Sequence, residues 1–291
     1  MTRAEHGTAC QTLQMKWASP VVQKLHERFV LEAVPWIEQR TVVIYGVTAE
    51  GNAVPDGSGV LLSVADQRFV LTAGHVLEDW GSRQYALSFG ALGHIDLTSL
   101  PAQVSAEDKG DLALLPLTHE MAQRVTQSGK DFVSLFETDP RGDEPAAGTY
   151  AVLGYPKPWA KSDGNGGWVS HAIWYPTQLA PSLNYDPGLE ILLEIDVENL
   201  DAKGDRDPLP YLGGISGCGI WRLHVKGDRP EAWSIDAIRL VGIEHHVVGK
   251  NEAIKGTRIR HVLAGIAKCF PDLERPITLA MTGVVKLSLS P

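Results

Sequence analysis

Gly59-Val60-Leu61-Leu62-Ser63-Val64-Ala65-Asp66-Gln67-Arg68-Phe69-Val70-Leu71-Thr72-Ala73-Gly74-His75 is the stretch on which the reading of the fold turns. Two apolar runs flank Ala65-Asp66-Gln67, which has turn character, and this pattern predicts a β-hairpin. The small residues Thr72-Ala73-Gly74 then let the chain turn before His75, and Val76-Leu77 start a helical turn. A strand followed by small residues holds an imidazole at the rim of a rigid scaffold, which is what a general base requires. For His75 taken alone, a structural histidine remains the alternative.

Outward from this hairpin the pattern repeats. Thr41–Tyr45, Ala86–Phe89, Ala102–Val104, Leu112–Leu117, Tyr150–Leu153, Leu189–Val197, Gly219–Leu223 and Ile238–Ile243 all read as short strands. Short strands with turn signals at this spacing predict an all-β sandwich or barrel, and nothing alternates strand with long helix as a parallel sheet requires. Helical spacing occurs at the two ends. Residues 20–39 place Val21, Val22, Leu25, Phe29 and Val30 on one face after Ser19 as N-cap and Pro20, and Pro35 is expected to end or kink this helix. Residues 259–270 form a second candidate, closed by Pro271, and 276–289 suit a final strand. Residues 118–130 suit a short helix or a loop. The polar break Asp139–Pro145 is expected to join two halves. The expected organisation is therefore a helical extension (1–39), a first barrel (40–138), a second barrel with its helix (139–270) and a C-terminal extension (271–291).

Composition bounds the function. The 291 residues are 44% hydrophobic and 21% charged, as in ordinary globular proteins, and the 29 glycines and 18 prolines are spread as turns. A formal net charge of −9 argues against general attraction to nucleic acid or an anionic membrane. Cys10, Cys218 and Cys269 are too few for a disulfide framework, which favours a reducing compartment. Met1–Pro20 has no apolar signal core, and no run reaches the roughly 18 apolar residues of a membrane span. A cytoplasmic location is expected.

Two further segments carry chemistry. Asp111 leads into the apolar run Leu112-Ala113-Leu114-Leu115. A carboxylate there calls for a partner, since an unpaired buried charge is costly, although a turn aspartate after Lys109-Gly110 is the simpler alternative. Ser216 sits among Gly213, Gly214, Gly217 and Gly219. Glycines let a loop turn its amides inward toward a developing oxyanion, and the N–H groups of Gly214 and Ser216 are the candidate donors. An incidental serine in a glycine-rich hairpin is the alternative. The segment departs from the Gly-x-Ser-x-Gly elbow, because Cys218 stands at its last place. The order His75, Asp111, Ser216 is one of three in which a base, its orienter and a nucleophile recur.

On these residues the chain resembles a trypsin-like (chymotrypsin-fold) serine peptidase of intracellular, bacterial type, over roughly residues 40–270. Thr72-Ala73-Gly74-His75-Val76 is similar to the family's histidine motif, with Gly74 where alanine is commoner. Asp111–Leu115 is similar to its aspartate motif. Gly214-Ile215-Ser216-Gly217-Cys218 is similar to its serine motif with two departures. Asp56–Val60, Leu153–Pro156 and Leu240–Ile243 are supporting matches. The resemblance implies two antiparallel six-stranded β-barrels with the site between them. It implies His75 as base then acid, Asp111 as orienter, Ser216 as nucleophile, and an acyl-enzyme intermediate. Ile215 stands where secreted members carry the aspartate that completes activation, so a different or preformed site is expected, and Cys218 reads as a small buried hydrophobe.

His245 and His246, with Gly213, are the candidate substrate contacts, because the strand after Ile243 is the family's substrate edge. A His pair on an exposed strand is the alternative. No third ligand has metal-site spacing, so neither metal nor cofactor is expected. The acidic stretch Asp196–Asp207 reads as a solvated loop. The expected substrate is a polypeptide, with the terminal extensions available to a regulatory protein partner. An inactive binding or scaffold module and an esterase or other acyl hydrolase on the same fold are the alternative functions.

Overall fold

The computed structural model describes residues 11–12, 24–25, 27–49, 51–89, 93–105, 110–142, 148–162, 168–180, 185–195, 212–223, 233–249 and 253–283. The strands in chain order are β1 (Gln11–Thr12), β2 (Thr41–Val47), β3 (Ala53–Val64), β4 (Gln67–Ala73), β5 (Tyr85–Ser88), β6 (His94–Asp96), β7 (Gln103–Val104), β8 (Leu112–Leu117) and β9 (Val133–Ser134). They continue as β10 (Tyr150–Gly154), β11 (Lys161–Ser162), β12 (Trp168–Val169), β13 (Ile173–Thr177), β14 (Glu190–Glu194), β15 (Gly219–Arg222), β16 (Arg239–Val248) and β17 (Ala253–Arg258).

The first sheet runs β6-β5-β2-β3-β4-β8-β7, with β9 added to β3, and the second runs β1-β13-β10-β15-β16-β17-β14. The chain just past β13 bridges back to β14 through Leu179 and Leu193, with Ala180 N–H on Leu192 O at 3.0 Å and Glu194 N–H on Gln178 O at 2.9 Å. This return brings the six strands from β13 round to β14 together as a barrel. The expected two-barrel, mainly antiparallel architecture with helices at both ends is present. The sheets hold eight and seven strands rather than six each. The two-residue strands β1 and β9 pair in parallel.

Alternation along the strands explains why so many of them are apolar on both faces. Val42, Ile44, Leu61, Val70, Ala113 and Leu115 fill the interior of the first barrel. Tyr150, Val152, Ile191, Ile220 and Val241 fill that of the second. The neighbouring positions Val43, Val60, Leu62, Phe69, Leu71, Ala151, Leu153, Trp221 and Leu240 meet in a third cluster shared by both sheets. With period-2 geometry, one face of each central strand lines a barrel and the other lines this shared core.

The terminal helices cover that shared core. Phe29, Ala33, Val34 and Ile37 enter it from the N-terminal side, and Ile259, Val262, Leu263, Ile266, Leu273 and Ile277 from the C-terminal side. Their apolar faces are thus consumed within the chain. Pro35 does not end the first helix, which continues as Val34–Gln39. The turn before it, Phe29–Ala33, widens to a π-helix, with Val34 N–H on Phe29 O. The wide turn accommodates the missing proline donor. Residues 118–130 resolve as the helix His119–Gln127, capped by Thr118 accepting from Met121 N–H.

The expected strand over 276–289 is instead a helix at Glu274–Thr282, ended by Gly283 at φ 69°. Leu273 and Ile277, four residues apart, are buried, which is helical rather than strand periodicity. Residues 284–289 lie outside the described residues. The strands β13 and β17 escape the sequence reading, because Pro176 and Gly256 interrupt the apolar pattern that identifies a strand. β11 and β12 pair antiparallel with each other, Lys161 opposite Val169 and Ser162 opposite Trp168. Among the described residues, no helix is long and apolar enough to cross a membrane.

Candidate active site

The first half of the site follows from strand register. β4 and β8 are antiparallel with Ala73 opposite Leu112, so residues just past β4 and just before β8 emerge at the same end. His75 stands in the 3-10 turn Gly74–Leu77, and Asp111 immediately precedes β8. Gly74 N–H donates to Asp111 O at 3.0 Å and His75 N–H to Asp111 Oδ1 at 2.9 Å. The His75 Nδ1 lies 2.7 Å from Asp111 Oδ2. A Cβ on residue 74 would fall 2.8 Å from Asp111 Oδ1 and 2.9 Å from Ser105 O. This close approach explains the glycine before His75.

Asp111 is 7% exposed and adopts φ 43°, in the left-handed region a non-glycine residue rarely occupies. The second barrel supports that conformation: Thr257 Oγ1 on β17 donates to Gly110 O.

The second half is the turn Leu212–Cys218. Its carbonyls are consumed by the surrounding structure: Gly213 O accepts from Lys157 N–H at 2.8 Å, Gly214 O from Ser58 Oγ at 2.9 Å and Ser216 O from Ser58 N–H at 2.8 Å. The amides of Ile215, Gly217 and Cys218 donate to Leu212 O, Glu244 O and Ile215 O. Among the described residues, the Gly214 and Ser216 N–H groups donate to no backbone carbonyl. In a trans peptide N–H and C=O point apart, so the Gly214 N–H faces away from Lys157. Gly217, at φ 91°, packs so closely on Thr72 and Ser58 that any Cβ would overlap Thr72 Oγ1 and Ser58 O.

Ile215 is 1% exposed and Cys218 fully buried, both in the second barrel's interior. Apolar packing therefore anchors the serine turn. The Cys218 thiol is pushed well up from its ordinary range, by burial first and the Glu244 carboxyl second. It is a core residue rather than a thiolate.

His75, Ser216, Gly213, Gly214, His245 and His246 line one open cleft of about 570 Å³. Asp111 lies beneath it, bonded to His75. His246 is exposed, whereas His245 is only 3% exposed, its Nδ1 3.9 Å from Asp111 Oδ2. Asp56, Arg83 and Lys157 also line the cleft, with Arg83 and Asp56 paired at 2.6 Å. The stretch Asp196–Asp207 and Cys10 lie outside the described residues.

Burial pushes the Asp111 carboxyl up, but the hydrogen bonds from the His75 side chain and backbone and the charges of His75 and His245 outweigh it, leaving it below its ordinary range. Glu244 is fully buried with both carboxylate oxygens lacking a hydrogen-bond partner among the described residues. Burial, then repulsion from Asp111, pushes it up to about 8. Ser58, Thr257 and Glu244 are the parts of this site that the sequence reading did not single out. Ser58 lies within the quoted motif Asp56–Val60, but nothing local marks its reach to Gly214.

No family model matches the chain, and no curated protein matches it. Among solved structures, the Rv3671c protease from M. tuberculosis in its active form is similar at 15% identity and TM-score 0.45, covering 92% of this chain and 93% of that one. The protease Anisep from Arthrobacter nicotinovorans is similar at 14% identity and TM-score 0.45, covering 76% of this chain and 90% of that one. The tobacco vein mottling virus protease is similar at 7% identity and TM-score 0.44, covering 77% and 78%.

Proposed function

We propose that this protein is a serine endopeptidase, hydrolysing peptide bonds through His75, Asp111 and Ser216. The observation that carries the reading is the His75 Nδ1–Asp111 Oδ2 hydrogen bond of 2.7 Å, with His75 lining the same cleft as Ser216. With Nδ1 committed to Asp111, the imidazole's Nε2 is the nitrogen left to take a proton from a hydroxyl. His75 takes the Ser216 Oγ proton as Ser216 attacks the scissile carbonyl. The tetrahedral oxyanion is met by the Gly214 and Ser216 N–H groups, which the turn leaves without backbone acceptors. His75 then protonates the leaving amine, and water hydrolyses the acyl-enzyme by the same steps in reverse roles. Asp111 stays ionised throughout, consistent with its lowered proton affinity.

The test is kinetic. Wild-type protein should hydrolyse members of a peptide library and release the alcohol of an activated ester in a burst as acyl-enzyme accumulates, and activity should rise with pH as the histidine base loses its proton. Turnover of esters without any peptide would replace the reading with that of an acyl hydrolase. Peptide turnover that survives Ser216→Ala unchanged would refute it.

A further inference from the structure

We propose that Lys157, with the Arg83–Asp56 pair beside it, forms a subsite for an acidic side chain of the substrate, an aspartate or glutamate on the leaving-group side of the scissile bond. The side of the bond rests on the peptidase reading, and the affinity of the cleft for an acidic peptide does not.

A bulge and two glycines build the subsite. Ile44 on β2 pairs with Gly57 and Tyr45 with Pro55, which leaves Asp56 on β3 without a partner across the ladder. A bulge re-aims a side chain in this way, and Asp56 lines the cleft. Arg83 closes on it, with Nη1 2.6 Å from Asp56 Oδ2, and its Nε–H donates to Val47 O at 3.2 Å. Gly46 makes the room, because a Cβ there would overlap Asp56 Oδ2 and the Arg83 guanidinium. On the second barrel, Lys157 N–H is fixed on Gly213 O at 2.8 Å. A Cβ on Gly214 would fall 2.8 Å from Lys157 Cγ, so the lysine stem lies across that glycine. The ammonium then reaches over to the first barrel, 3.4 Å from Asp56 Oδ1.

Two cations thus share one carboxylate. The contact of Lys157 with Asp56 is long and 47% of the lysine side chain is exposed, so the ammonium can turn to an incoming carboxylate. Glu78 and Asp79 also line the cleft, but both are exposed, and water screens them. Asp56 and Arg83 are only 13% and 23% exposed, so the inner three charges weigh more. The side of the scissile bond follows from the flanks of the serine. Ser216 O accepts from Ser58 N–H on β3, and Gly217 N–H donates to Glu244 O on β16, so the two strands lie on opposite sides of it. Asp56 belongs to the β3 flank, which is also that of His75: a Cβ on Gly57 would fall 2.6 Å from Val76 Cγ2 and 2.9 Å from Ser216 O. His75 hands its proton to the leaving amine, so the departing segment runs along this flank.

The experiment has two arms, both on the full chain. In one, a pool of randomised, N-terminally acetylated peptides is passed over immobilised Ser216→Ala protein and the retained peptides are sequenced. In the other, wild type cuts the same pool and both fragments are sequenced. Aspartate and glutamate should be enriched about fivefold in the retained peptides and at one of the first few positions after the cut, the size of a solvent-accessible ion pair. The enrichment should fade as salt rises from about 0.05 to about 0.5 M. Lys157→Met should abolish it, and Lys157→Glu should replace it with a preference for lysine and arginine. Asp56→Asn, which removes the competing carboxylate, should increase it.

Acidic enrichment that persists in Lys157→Glu overturns the proposal, as does a preference confined to the segment before the cut. If the Lys157 variants do not fold, Asp56→Asn decides, and an unchanged enrichment there overturns it. Cleavage with no acidic preference removes the subsite and leaves the peptidase reading. Retention of acidic peptides that is never followed by cleavage removes the peptidase reading and leaves the subsite.

Discussion

On the first-barrel side of the cleft, His75 and Asp111 are fixed by directional hydrogen bonds of 2.7–3.0 Å between polar groups. On the second-barrel side, the Ser216 turn is fixed by close approach and apolar anchors: Gly217 against Thr72 and Ser58, and Ile215 and Cys218 in the barrel core. The first half should be sensitive above all to charge, with Gly74 the place where an added carbon also meets Asp111. The second should be sensitive to single added atoms. Titration divides them too, since Asp111 sits below its ordinary range and Glu244, under the serine turn, well above.

The largest expected effect removes the chemistry from either half. Ser216→Ala should lower kcat on the order of 10⁶-fold, and Asp111→Asn about 10⁴-fold through the wrong imidazole tautomer, in steady-state peptide hydrolysis. Equal, small losses in both would mean the halves do not work together. Next is Gly217→Ala, which adds one carbon where Thr72 and Ser58 leave no room, at φ 91°. It should lower both thermal stability and activity, whereas Ala113→Gly in the first barrel's interior should lower stability and spare activity.

A smaller effect is expected from Ser58→Ala. It leaves Gly214 O and Tyr155 N–H without their partner at the junction of the two barrels. Urea denaturation should register a loss of about 1–3 kcal/mol, and an unchanged midpoint would mean the junction is not held there.

The smallest is a pH signature. Glu244 binds its proton more tightly folded than unfolded, so its contribution is fully present at low pH and is lost as pH rises toward about 8. Asp111 binds its proton less tightly folded, so its contribution is present above the ordinary carboxylate range and lost as pH falls through its lowered value. Melting temperatures across pH should therefore show Glu244→Gln gaining on wild type as pH rises, and Asp111→Asn gaining as pH falls. Parallel curves would contradict the division.

The parts of the molecule legible in the sequence are those whose cause is local. β8 has the bounds its apolar run predicts, Leu112–Leu117. His75 and Asp111 are visible because each sits at a strand end marked by small or polar neighbours. Contacts made by distant residues leave no such mark. Ser58 meets Gly214 across 156 positions, and Thr257 meets Gly110 across 147. The bulge between Glu244 and His246 is likewise invisible, and His245 both lines the cleft and lies 3.9 Å from Asp111. Residues 274–282 mislead because a short amphipathic stretch suits strand or helix, and packing of Ile277 on the shared core decides it.

Intact-mass measurement after treatment with a fluorophosphonate tests the joint action of the two halves most directly. The account predicts a single adduct, mapped to Ser216, formed in wild type and absent from both Ser216→Ala and His75→Ala. An unreactive wild type, or an adduct that persists in Ser216→Ala, would contradict it.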